Sequence, residues 1–505
     1  MSEQVHDIEN FKNVYPWMLK DEKMVSVEAK QHKDYALYVA GQAVQTGEWL
    51  EVKHKYSQKL YARVALADAS TLEQVIQSAT DAETEMAALE PFQKQKILLH
   101  CVRRFREIHE ELTEILIAEG GKPRKAAEAE VERLINTFQI AADAVTQMDQ
   151  GRILPLAVTA AASGYQGMVK QVPIGAVSLI SPFNFPLNLT AHKIAPAIAA
   201  GCPFVLKPAS LTPISALKIA EILAETELPH GAFSVLPCPR ELADVLVTDD
   251  RFKLLSFTGS DAVGWDMKAR AGRKKVTLEL GGNAAVMIEP DTDINDALIS
   301  RLIGGAYGHA GQVCISVQRI LVHQDIYNDV KQKMVAKLKT LKADDPNLST
   351  TLVGPMIKKA EAKRLETWLD KAVKKDAKIL AGGKLDEVLF APTLLENVDQ
   401  NLEIYRNEVF GPVAMIEPYT DFESGIACIN RSRFGLQAGV YTQNLNKMLY
   451  AWDHLHVGGV IINDIPSFRV DNMPYGGVKD SGLGREGIQS AIRDMQEERM
   501  LVIKA

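Results

Sequence analysis

The sequence contains a cysteine whose surroundings suit nucleophilic chemistry. Cys314 ends the string GQVC at 311–314, which follows a run of small residues at 303–306. A thiol acts as a nucleophile only when it is ionised and reachable, and small neighbours leave room for a ligand to approach it. Most lone cysteines are buried and inert, so the local sequence leaves both interpretations open.

A carboxylate and an amide stand where they could assist such a nucleophile. Glu279 lies near the end of an apolar run and precedes two glycines, and desolvation there would raise its pKa toward a value useful for a general base. A salt-bridged structural glutamate is the alternative. Asn184 lies in SPFNFP at 181–186, between two prolines, and its amide can donate to an oxyanion. A plain turn before a helix is the simpler alternative there.

Two glycine-containing strings suggest an anionic ligand. In FTGS at 257–260 a predicted strand leads into a helix, whose first N–H groups favour phosphate, although an ordinary capped turn reads the same way. A GxGxxG string occurs at Gly482, Gly484 and Gly487. It follows a polar loop near the C-terminus and no βαβ unit comes after it, so we do not interpret it as a dinucleotide fingerprint.

Helices and strands must position these residues, and the pattern of apolar residues predicts where those helices and strands lie. Apolar spacing indicates one long helix from about Phe92 to Glu119, capped by Gly120-Gly121, and a second helix around residues 131–145. From residue 171, short apolar runs alternate with helices, which is typical of a parallel sheet covered on both faces. The predicted strands are Ala176–Ile180, Phe204–Leu206, Phe233–Leu236, Lys253–Phe257 and Val276–Leu280. The predicted helices between them are Leu187–Ala200, Ile214–Glu225, Glu241–Val247 and Ala262–Arg270.

Composition narrows the class of protein. The chain has 505 residues, of which 47% are hydrophobic, and a net charge of −7. The acidic balance argues against a nucleic-acid surface, and no basic helix suited to a membrane surface is visible. The first twenty residues mix charges among the apolar ones, so no secretory signal is expected. Five cysteines without a CxxC pair or zinc-ligand spacing favour a reducing cytoplasm and no metal.

Taken together, these strings resemble the aldehyde dehydrogenase superfamily. The resemblance covers roughly residues 36–505, and Glu279 and Cys314 stand 35 positions apart, about the family's distance. The matching strings, in the family's order, are PFNFP at 182–186, KPAS at 207–210, FTGS at 257–260, ELGG at 279–282, GQVC at 311–314, EVFGP at 408–412 and PYGGVKDSGLGRE at 474–486.

The resemblance implies roles for single residues. Cys314 matches the nucleophile, Glu279 the general base and Asn184 the amide that binds the oxyanion, with the Cys314 backbone N–H as a second donor. Lys193 and Glu497 match residues assigned in the family to a proton relay with the base. The implied reaction forms a thiohemiacetal on Cys314, oxidises it to a thioester and hydrolyses that with water activated by Glu279.

It also implies an NAD or NADP site. Lys207 and Ser210 match positions that hold the adenosine ribose, Ser260 one that contacts the pyrophosphate, and Glu408 the carboxylate on the nicotinamide ribose. Phe410 would pack near the nicotinamide. Further implied coenzyme positions are Ile180, Ser181, Phe183, Gly259, Val263 and Gly281. NAD-specific relatives commonly carry Glu at the position of Ser210, so we expect NADP to be accepted, with NAD also usable.

The family fold is α/β, with two open parallel-sheet domains and an oligomerisation part. The expected division is an N-terminal arm at 1–34, a coenzyme-binding domain at 35–155 and 173–285, and a catalytic domain at 286–465. The oligomerisation part would combine a hairpin at 156–172 with residues 466–505. A homodimer or homotetramer is therefore expected.

Rival activities and the substrate are left open by the sequence. In an acylating branch coenzyme A takes the acyl group, but that branch typically lacks the base, so Glu279 favours hydrolysis; a binding protein without turnover is the other rival. The chain looks nearest to lactaldehyde, succinic semialdehyde and non-phosphorylating glyceraldehyde-3-phosphate dehydrogenases. Arg469 could bind a distal anionic group, or form a structural ion pair, either with Asp471 or across a subunit boundary. Val313 stands where the last of these groups commonly has Arg, which favours a small hydroxy- or carboxy-aldehyde over a sugar phosphate.

Overall fold

The computed structural model describes residues 32–148 and 151–504. Most of the predicted N-terminal arm, residues 1–34, lies outside this part of the chain, and the described residues from Asp34 onward form one compact unit. In the described ranges no helix has the length and apolar character needed to cross a membrane. The same residues contain no group of three or more His, Cys, Asp or Glu side chains arranged to hold a metal ion.

The strands are numbered in chain order. Those of the first half are β1 (Lys33–Tyr35), β2 (Leu37–Val39), β3 (Gln42–Val44), β4 (Trp49–Lys53), β5 (Leu60–Ala65), β6 (Gly151–Pro155), β7 (Tyr165–Pro173), β8 (Val177–Ile180), β9 (Phe204–Lys207), β10 (Phe233–Val235), β11 (Leu254–Thr258) and β12 (Lys275–Glu279). Those of the second half are β13 (Ala285–Ile288), β14 (Arg319–His323), β15 (Lys378–Ala381), β16 (Leu385–Asp386), β17 (Leu389–Phe390), β18 (Thr393–Glu396), β19 (Val413–Tyr419), β20 (Phe434–Gly435), β21 (Gln437–Tyr441), β22 (Gly459–Ile462), β23 (Val478–Lys479), β24 (Gly482–Leu483) and β25 (Gln496–Lys504).

The α-helices alternate with these strands over much of the chain. They are α1 (Ala69–Asp81), α2 (Glu83–Ala88), α3 (Pro91–Glu107), α4 (His109–Gly120), α5 (Arg124–Gln147), α6 (Asn188–Ala200), α7 (Ile214–Leu223), α8 (Val245–Thr248), α9 (Asp261–Arg270), α10 (Asp296–Tyr307), α11 (Tyr327–Leu338), α12 (Lys359–Val373), α13 (Glu403–Arg406), α14 (Phe422–Asn430), α15 (Leu445–His454) and α16 (Ile488–Asp494).

An eight-stranded sheet confirms the strands predicted from residue 171 onward. Its order is β24-β12-β11-β8-β9-β10-β2-β3, and the five strands from β12 to β10 run parallel. All five predicted strands are present, with ends displaced by one residue at most. The antiparallel strands β24 and β2 pair with the outer members of this parallel set. Apolar residues of α3, α5, α6 and α7 pack with the sheet in the largest core cluster.

A second sheet of seven strands agrees with the second open α/β sheet that the resemblance implies. Its order is β15-β18-β19-β14-β13-β21-β22, and only β15 pairs antiparallel among these strands. A separate core cluster packs α10, α11 and α12 against it. Cys314 lies between α10 and β14, in the segment that leads into the centre of this sheet.

The predicted hairpin pairs with the C-terminal segment in a third sheet, but its first strand, β6, lies before the predicted start at residue 156. Its order is β25-β7-β6, and nine residues of β25 pair antiparallel with β7. Met500, Leu501, Val502 and Ile503 are all exposed. This pairing agrees with the expected grouping of the two segments, while the division of the chain into domains stays a prediction.

Two helix predictions need correction. The single helix expected over Phe92–Glu119 is two helices, because Ile108, with φ −108° and ψ 24°, interrupts it between α3 and α4. The apolar spacing continues through this break, so periodicity alone does not reveal it. The predicted cap is confirmed, since Gly121 ends α4 with a φ of +64°. The helix expected over Glu241–Val247 is a 3₁₀ turn, Leu242–Asp244, followed by α8.

Candidate active site

The carboxyl ends of four neighbouring parallel strands bring most of the predicted positions to one edge of the first sheet. Ile180 of β8 lies opposite Lys207 of β9 and beside Phe257 of β11, and Thr258 of β11 lies opposite Glu279 of β12. Ligands of open parallel sheets bind at this edge. We call the part lined by Ile180, Ser181, Lys207, Ser210, Gly259 and Ser260 the strand-end cleft.

Lys207 brings a cation with few protein contacts to this cleft. Its Nζ donates to the backbone carbonyl of Pro208 at 3.2 Å, and no carboxylate of the described residues forms an ion pair with it. Burial lowers the pKa of Lys207. Ser210 is exposed and Ser181 is buried behind the end of β8. An ammonium group without a protein acid as partner fits hydroxyl or phosphate groups of a dinucleotide.

A helix begins at the other end of the cleft. Ser260, which is exposed, is the N-cap of the ten-residue α9, and its side chain makes no capping bond. Val263 in the first turn packs against the apolar cluster that contains Ile180 and Leu280, so this turn is fixed to the sheet. Open N–H groups at a helix N-terminus favour phosphate, which fits the predicted pyrophosphate contact at Ser260.

Glu408 contacts the glycine turn that follows Glu279, and its charge acts on Cys314. Its Oε1 accepts a hydrogen bond from the Gly282 N–H at 2.9 Å, and burial raises the pKa of Glu408 to about 8. A Cβ at Gly281 would lie 2.3 Å from the other carboxylate oxygen, so only glycine permits this approach. Phe410 meets Phe183 edge-on, with 5.7 Å between ring centroids. The predicted coenzyme residues from both halves of the chain are thus brought together.

Cys314 is only partly buried, and its sulfur has one polar contact within residues 32–148 and 151–504. The Sγ atom lies 3.1 Å from the hydroxyl of Tyr475. Burial raises the pKa of the Cys314 thiol to about 11, although the Tyr475 hydrogen bond acts to lower it. The chain approaches closely from the other side, since a Cβ at Gly282 would lie 2.3 Å from the Cys314 carbonyl oxygen. We call Cys314, Asn184, Glu279 and Tyr475 the reaction centre.

Asn184 is held against the segment that carries Cys314. Its Nδ2 donates to the Gln312 carbonyl at 3.0 Å, and the side chain is buried. Gln312 is fixed in turn because its Oε1 accepts from the Ile357 N–H at 2.8 Å. Before it, His309 and Ala310 both have φ near +50°, a conformation that costs energy for residues other than glycine. No other acceptor in the part of the chain that the structure describes bonds to Nδ2, so one of the two amide hydrogens of Asn184 remains available.

Glu279 is a buried carboxylate without a hydrogen-bond partner. Neither of its oxygens has one within the part of the chain that the structure describes, and the residue is 3% exposed. Burial and the nearby charge of Glu486 raise its pKa well above the usual value, although Arg469, Lys193 and Arg485 oppose this. An unpaired buried carboxylate costs stability, which points to a role other than structural.

Lys193 contacts a different acid from the one that the resemblance implies. Lys193 donates from Nζ to the Ser256 hydroxyl at 2.8 Å and to Glu486 at 3.3 Å. Glu497 instead lies on β25 with an exposed side chain, 3.7 Å from the ammonium group of Lys275. The expectation for Glu497 is therefore wrong. Burial raises the pKa of Glu486, but Lys193 and Arg469 outweigh it and lower the pKa to about 2.

Arg469 forms an ion pair, but not with the expected residue. Its Nη2 donates to Glu486 at 3.0 Å, and its guanidinium lies 3.7 Å above the ring of Tyr475. Asp471 is instead bound by Arg133, at 2.6 Å, and by the ring of His192, at 3.0 Å. Sequence reasoning missed Arg133, because a single arginine on an amphipathic helix carries no signal. It also missed Tyr475 and Glu486, although both stand inside the matching string at 474–486.

Comparisons with known proteins agree with this geometry. The model of the aldehyde dehydrogenase family matches residues 42–501. A 3-sulfolactaldehyde dehydrogenase of Priestia aryabhattai is 40% identical over 474 residues, which cover 94% of this chain and 98% of the relative.

Two solved structures extend the comparison. Aldehyde dehydrogenase 21 of Physcomitrella patens, in complex with the reaction product succinate, is 46% identical with a TM-score of 0.93, covering 94% of this chain and 99% of that chain. The glyceraldehyde-3-phosphate dehydrogenase GapN of Methanocaldococcus jannaschii, complexed with NADP, is 36% identical with a TM-score of 0.87, covering 91% of this chain and 100% of that chain. The chain belongs to the aldehyde dehydrogenase family and is an NAD(P)-dependent aldehyde dehydrogenase.

Proposed function

We propose that this enzyme oxidises a small polar or anionic aldehyde to a carboxylate through a thioester on Cys314. The observation that carries the proposal is Glu279, which is buried without a hydrogen-bond partner among the described residues and whose charge acts on the pKa of the Cys314 thiol. A carboxylate with a raised pKa beside a nucleophile is suited to deprotonate water at neutral pH.

The proposed mechanism assigns each residue of the reaction centre one task. The Cys314 thiolate attacks the aldehyde, and the oxyanion that forms accepts hydrogen bonds from the free amide hydrogen of Asn184 and the Cys314 backbone N–H. Bound NAD(P) supplies the hydride acceptor for the oxidation. Glu279 then takes a proton from the water that attacks the thioester, and the carboxylate product leaves the sulfur.

The proton on Glu279 must leave before the next cycle. Lys193 and Glu486 form a buried pair whose charges both act on Glu279. We assign the proton transfer from Glu279 to this pair, with Glu486 in place of the acid first expected. Lys193, whose pKa burial lowers, accepts the proton in its neutral form and passes it on to solvent, and the ionised Glu486 stabilises the ammonium group that forms.

For the coenzyme we propose NADP, with NAD also usable. Ser210 is small, neutral and exposed, and Lys207 lies nearby at the end of β9 without a carboxylate partner among the described residues. Such a site has room and positive charge for a 2′-phosphate. The similarity to the GapN structure complexed with NADP supports this proposal.

For the substrate we propose an aldehyde with a distal carboxylate, sulfonate or hydroxyl group. The named relative acts on 3-sulfolactaldehyde, and the moss structure holds succinate. Two arginines support an anionic group. Arg133 is partly exposed and lies 6.0 Å from the ring of Phe185, which follows Asn184, and Arg469 lies at the Tyr475 ring.

We further propose a cytoplasmic homo-oligomer, supported by five free cysteines and by the exposed apolar residues of β25.

A panel of aldehydes tests the proposal. Succinic semialdehyde, sulfolactaldehyde, lactaldehyde and propanal differ in their distal group, and formation of reduced coenzyme is followed by absorbance with NAD and with NADP. We expect turnover, with the highest kcat/KM for an anionic or hydroxylated member. Adding coenzyme A should leave the free acid as product. An acyl-coenzyme A product, or no turnover of any aldehyde, would contradict the proposal.

A further inference from the structure

Tyr475 is in direct contact with the sulfur of Cys314. Its hydroxyl lies 3.1 Å from Sγ, and the residue is 3% exposed. Two backbone hydrogen bonds to Glu486, of 2.9 Å and 2.6 Å, fix its position in the loop before β23. Burial raises the pKa of Tyr475 well above its usual value, so the hydroxyl keeps its proton at neutral pH and can donate it in a hydrogen bond.

The ring of Tyr475 is covered by a fixed cation. The guanidinium of Arg469 lies 3.7 Å from the ring centroid, and Glu486 holds it by a hydrogen bond of 3.0 Å to Nη2. A cation over an aromatic face is attracted to the ring electrons, more strongly where water is excluded. Its positive charge also makes the attached hydroxyl a stronger hydrogen-bond donor.

The charges that face the thiol do not by themselves favour ionisation. Glu408 and Glu279 raise the pKa of Cys314, and Arg469 is the cation that opposes them. Burial acts in the same direction as the two carboxylates. A neutral hydrogen-bond donor that contacts the sulfur therefore matters for the pKa of Cys314. It stabilises the thiolate, and the nearby carboxylates do not neutralise it because it carries no charge.

We propose that the Tyr475 hydroxyl, polarised by Arg469, is a catalytic group that donates a hydrogen bond to the Cys314 thiolate. When the thiol ionises, the S–H bond breaks, sulfur keeps the electron pair and the proton passes to water, while Tyr475 keeps its own proton. Arg469 acts on the sulfur partly through Tyr475 and is in that respect a positioning residue.

This inference rests on the proposed role of Cys314 but is tested apart from turnover. The full chain without coenzyme is treated with iodoacetamide over a range of pH, and peptide mass spectrometry measures alkylation at Cys314. The other four cysteines are buried, and Cys314→Ala gives the background of reaction at those sites. Tyr475→Phe removes the hydroxyl and keeps the ring, and thermal melting verifies that the variant is folded.

We expect Tyr475→Phe to move the midpoint of the alkylation profile up by about one pH unit, the size of one hydrogen bond to a charged group. An unchanged midpoint would overturn the proposal, whatever the effect on turnover. If Cys314→Ala retained turnover, the proposed function would fail instead, and the alkylation result would still stand.

A double-mutant cycle tests the part played by Arg469. Arg469→Met should raise the midpoint in the wild-type background, and by clearly less in the Tyr475→Phe background, if Arg469 acts through the hydroxyl. Equal shifts in both backgrounds would show that Arg469 acts on the sulfur directly and would overturn this part. Arg469→Lys, which keeps the charge, should retain most of the wild-type profile and serves if the methionine variant does not fold.

Discussion

Around Cys314 the polar side chains of Asn184, Glu279 and Tyr475 are buried, whereas in the strand-end cleft Ser210 and Ser260 are exposed and Lys207 has no carboxylate partner among the described residues. Glu279 has no hydrogen-bond partner among the described residues, and its raised pKa reflects burial and neighbouring charge. Lys207 and Ser260 stand at the ends of β9 and β11, where a ligand can still approach them. The same sheet edge therefore contains one region where a buried carboxylate has a raised pKa, and one region where polar groups can still bind a ligand.

This difference separates chemistry from recognition. Groups that must change protonation during the reaction are desolvated in advance, at a cost in stability. Groups that bind a charged coenzyme can remain hydrated until it arrives, because the ligand supplies the opposite charge. Substitutions in the first region should therefore lower kcat, and those in the second should change which ligand is preferred.

The largest effect is expected at the nucleophile. Cys314→Ala should lower turnover by roughly 10⁴-fold or more, since no other group can form the thioester. Coenzyme binding, measured by fluorescence titration, should remain. Cys101→Ala is the matched control. Cys101 is buried in the largest core cluster, and its substitution should retain turnover. A Cys314→Ala enzyme with the wild-type rate would show that Cys314 is not the nucleophile.

The next effect concerns the oxyanion. Asn184→Ala removes one of the two proposed donors and should lower kcat by about 10²–10³-fold, the usual loss for such a group. Steady-state kinetics with a saturating aldehyde measures it. The Kd of the coenzyme should be unchanged, and a loss confined to coenzyme binding would assign Asn184 to the cleft instead.

In the strand-end cleft, Ser210→Glu should change the preference between NADP and NAD and leave kcat with the preferred coenzyme unchanged. The new carboxylate repels a 2′-phosphate, so the ratio of kcat/KM for NADP to that for NAD should fall by about tenfold or more. Ser210→Ala is the control and should leave the ratio close to that of the wild type. A wild-type enzyme with negligible NADP activity would contradict the coenzyme proposal directly.

The smallest effect separates two roles of Arg469. If it contacts the distal group, Arg469→Leu should raise KM for anionic aldehydes by about tenfold relative to propanal, the loss of one charge-assisted bond. If it acts only through Tyr475, kcat should fall similarly for charged and neutral aldehydes. Arg133→Leu is the matched variant for Arg469→Leu. Among the described residues Arg133 has no contact with Tyr475, so its substitution should change KM and not kcat.

The fold and the ligand-binding edge follow from the sequence more closely than the contacts inside the reaction centre do. The apolar run Ala176–Ile180 predicts a strand because a strand buried on both faces has apolar side chains on both, and the observed strand is Val177–Ile180. The break at Ile108 leaves no mark in the apolar spacing, so that spacing predicts one long helix where there are two. Glu497 and Glu486 are both acids near the C-terminus, and only the pairing of β25 with β7 shows that Glu497 lies on an exposed strand.

The same limit applies to Asp471 and Tyr475. Asp471 is close to Arg469 in sequence, but Arg133 and His192, which bind it, come from distant helices. The contact between Tyr475 and Cys314 joins residues 161 positions apart. Motif strings identify such residues one at a time, whereas the charges that determine a pKa depend on which strings meet in space.

A trapped thioester tests the central claim most directly. In Glu279→Gln, oxidation on Cys314 should proceed while hydrolysis is blocked, because the glutamine cannot take a proton from water. Mixing this variant with coenzyme and aldehyde should give one equivalent of reduced coenzyme per site and then stop. Intact-mass and peptide analysis should locate the acyl group on Cys314. Continued turnover at the wild-type rate, or an acyl group on any other residue, would contradict the account.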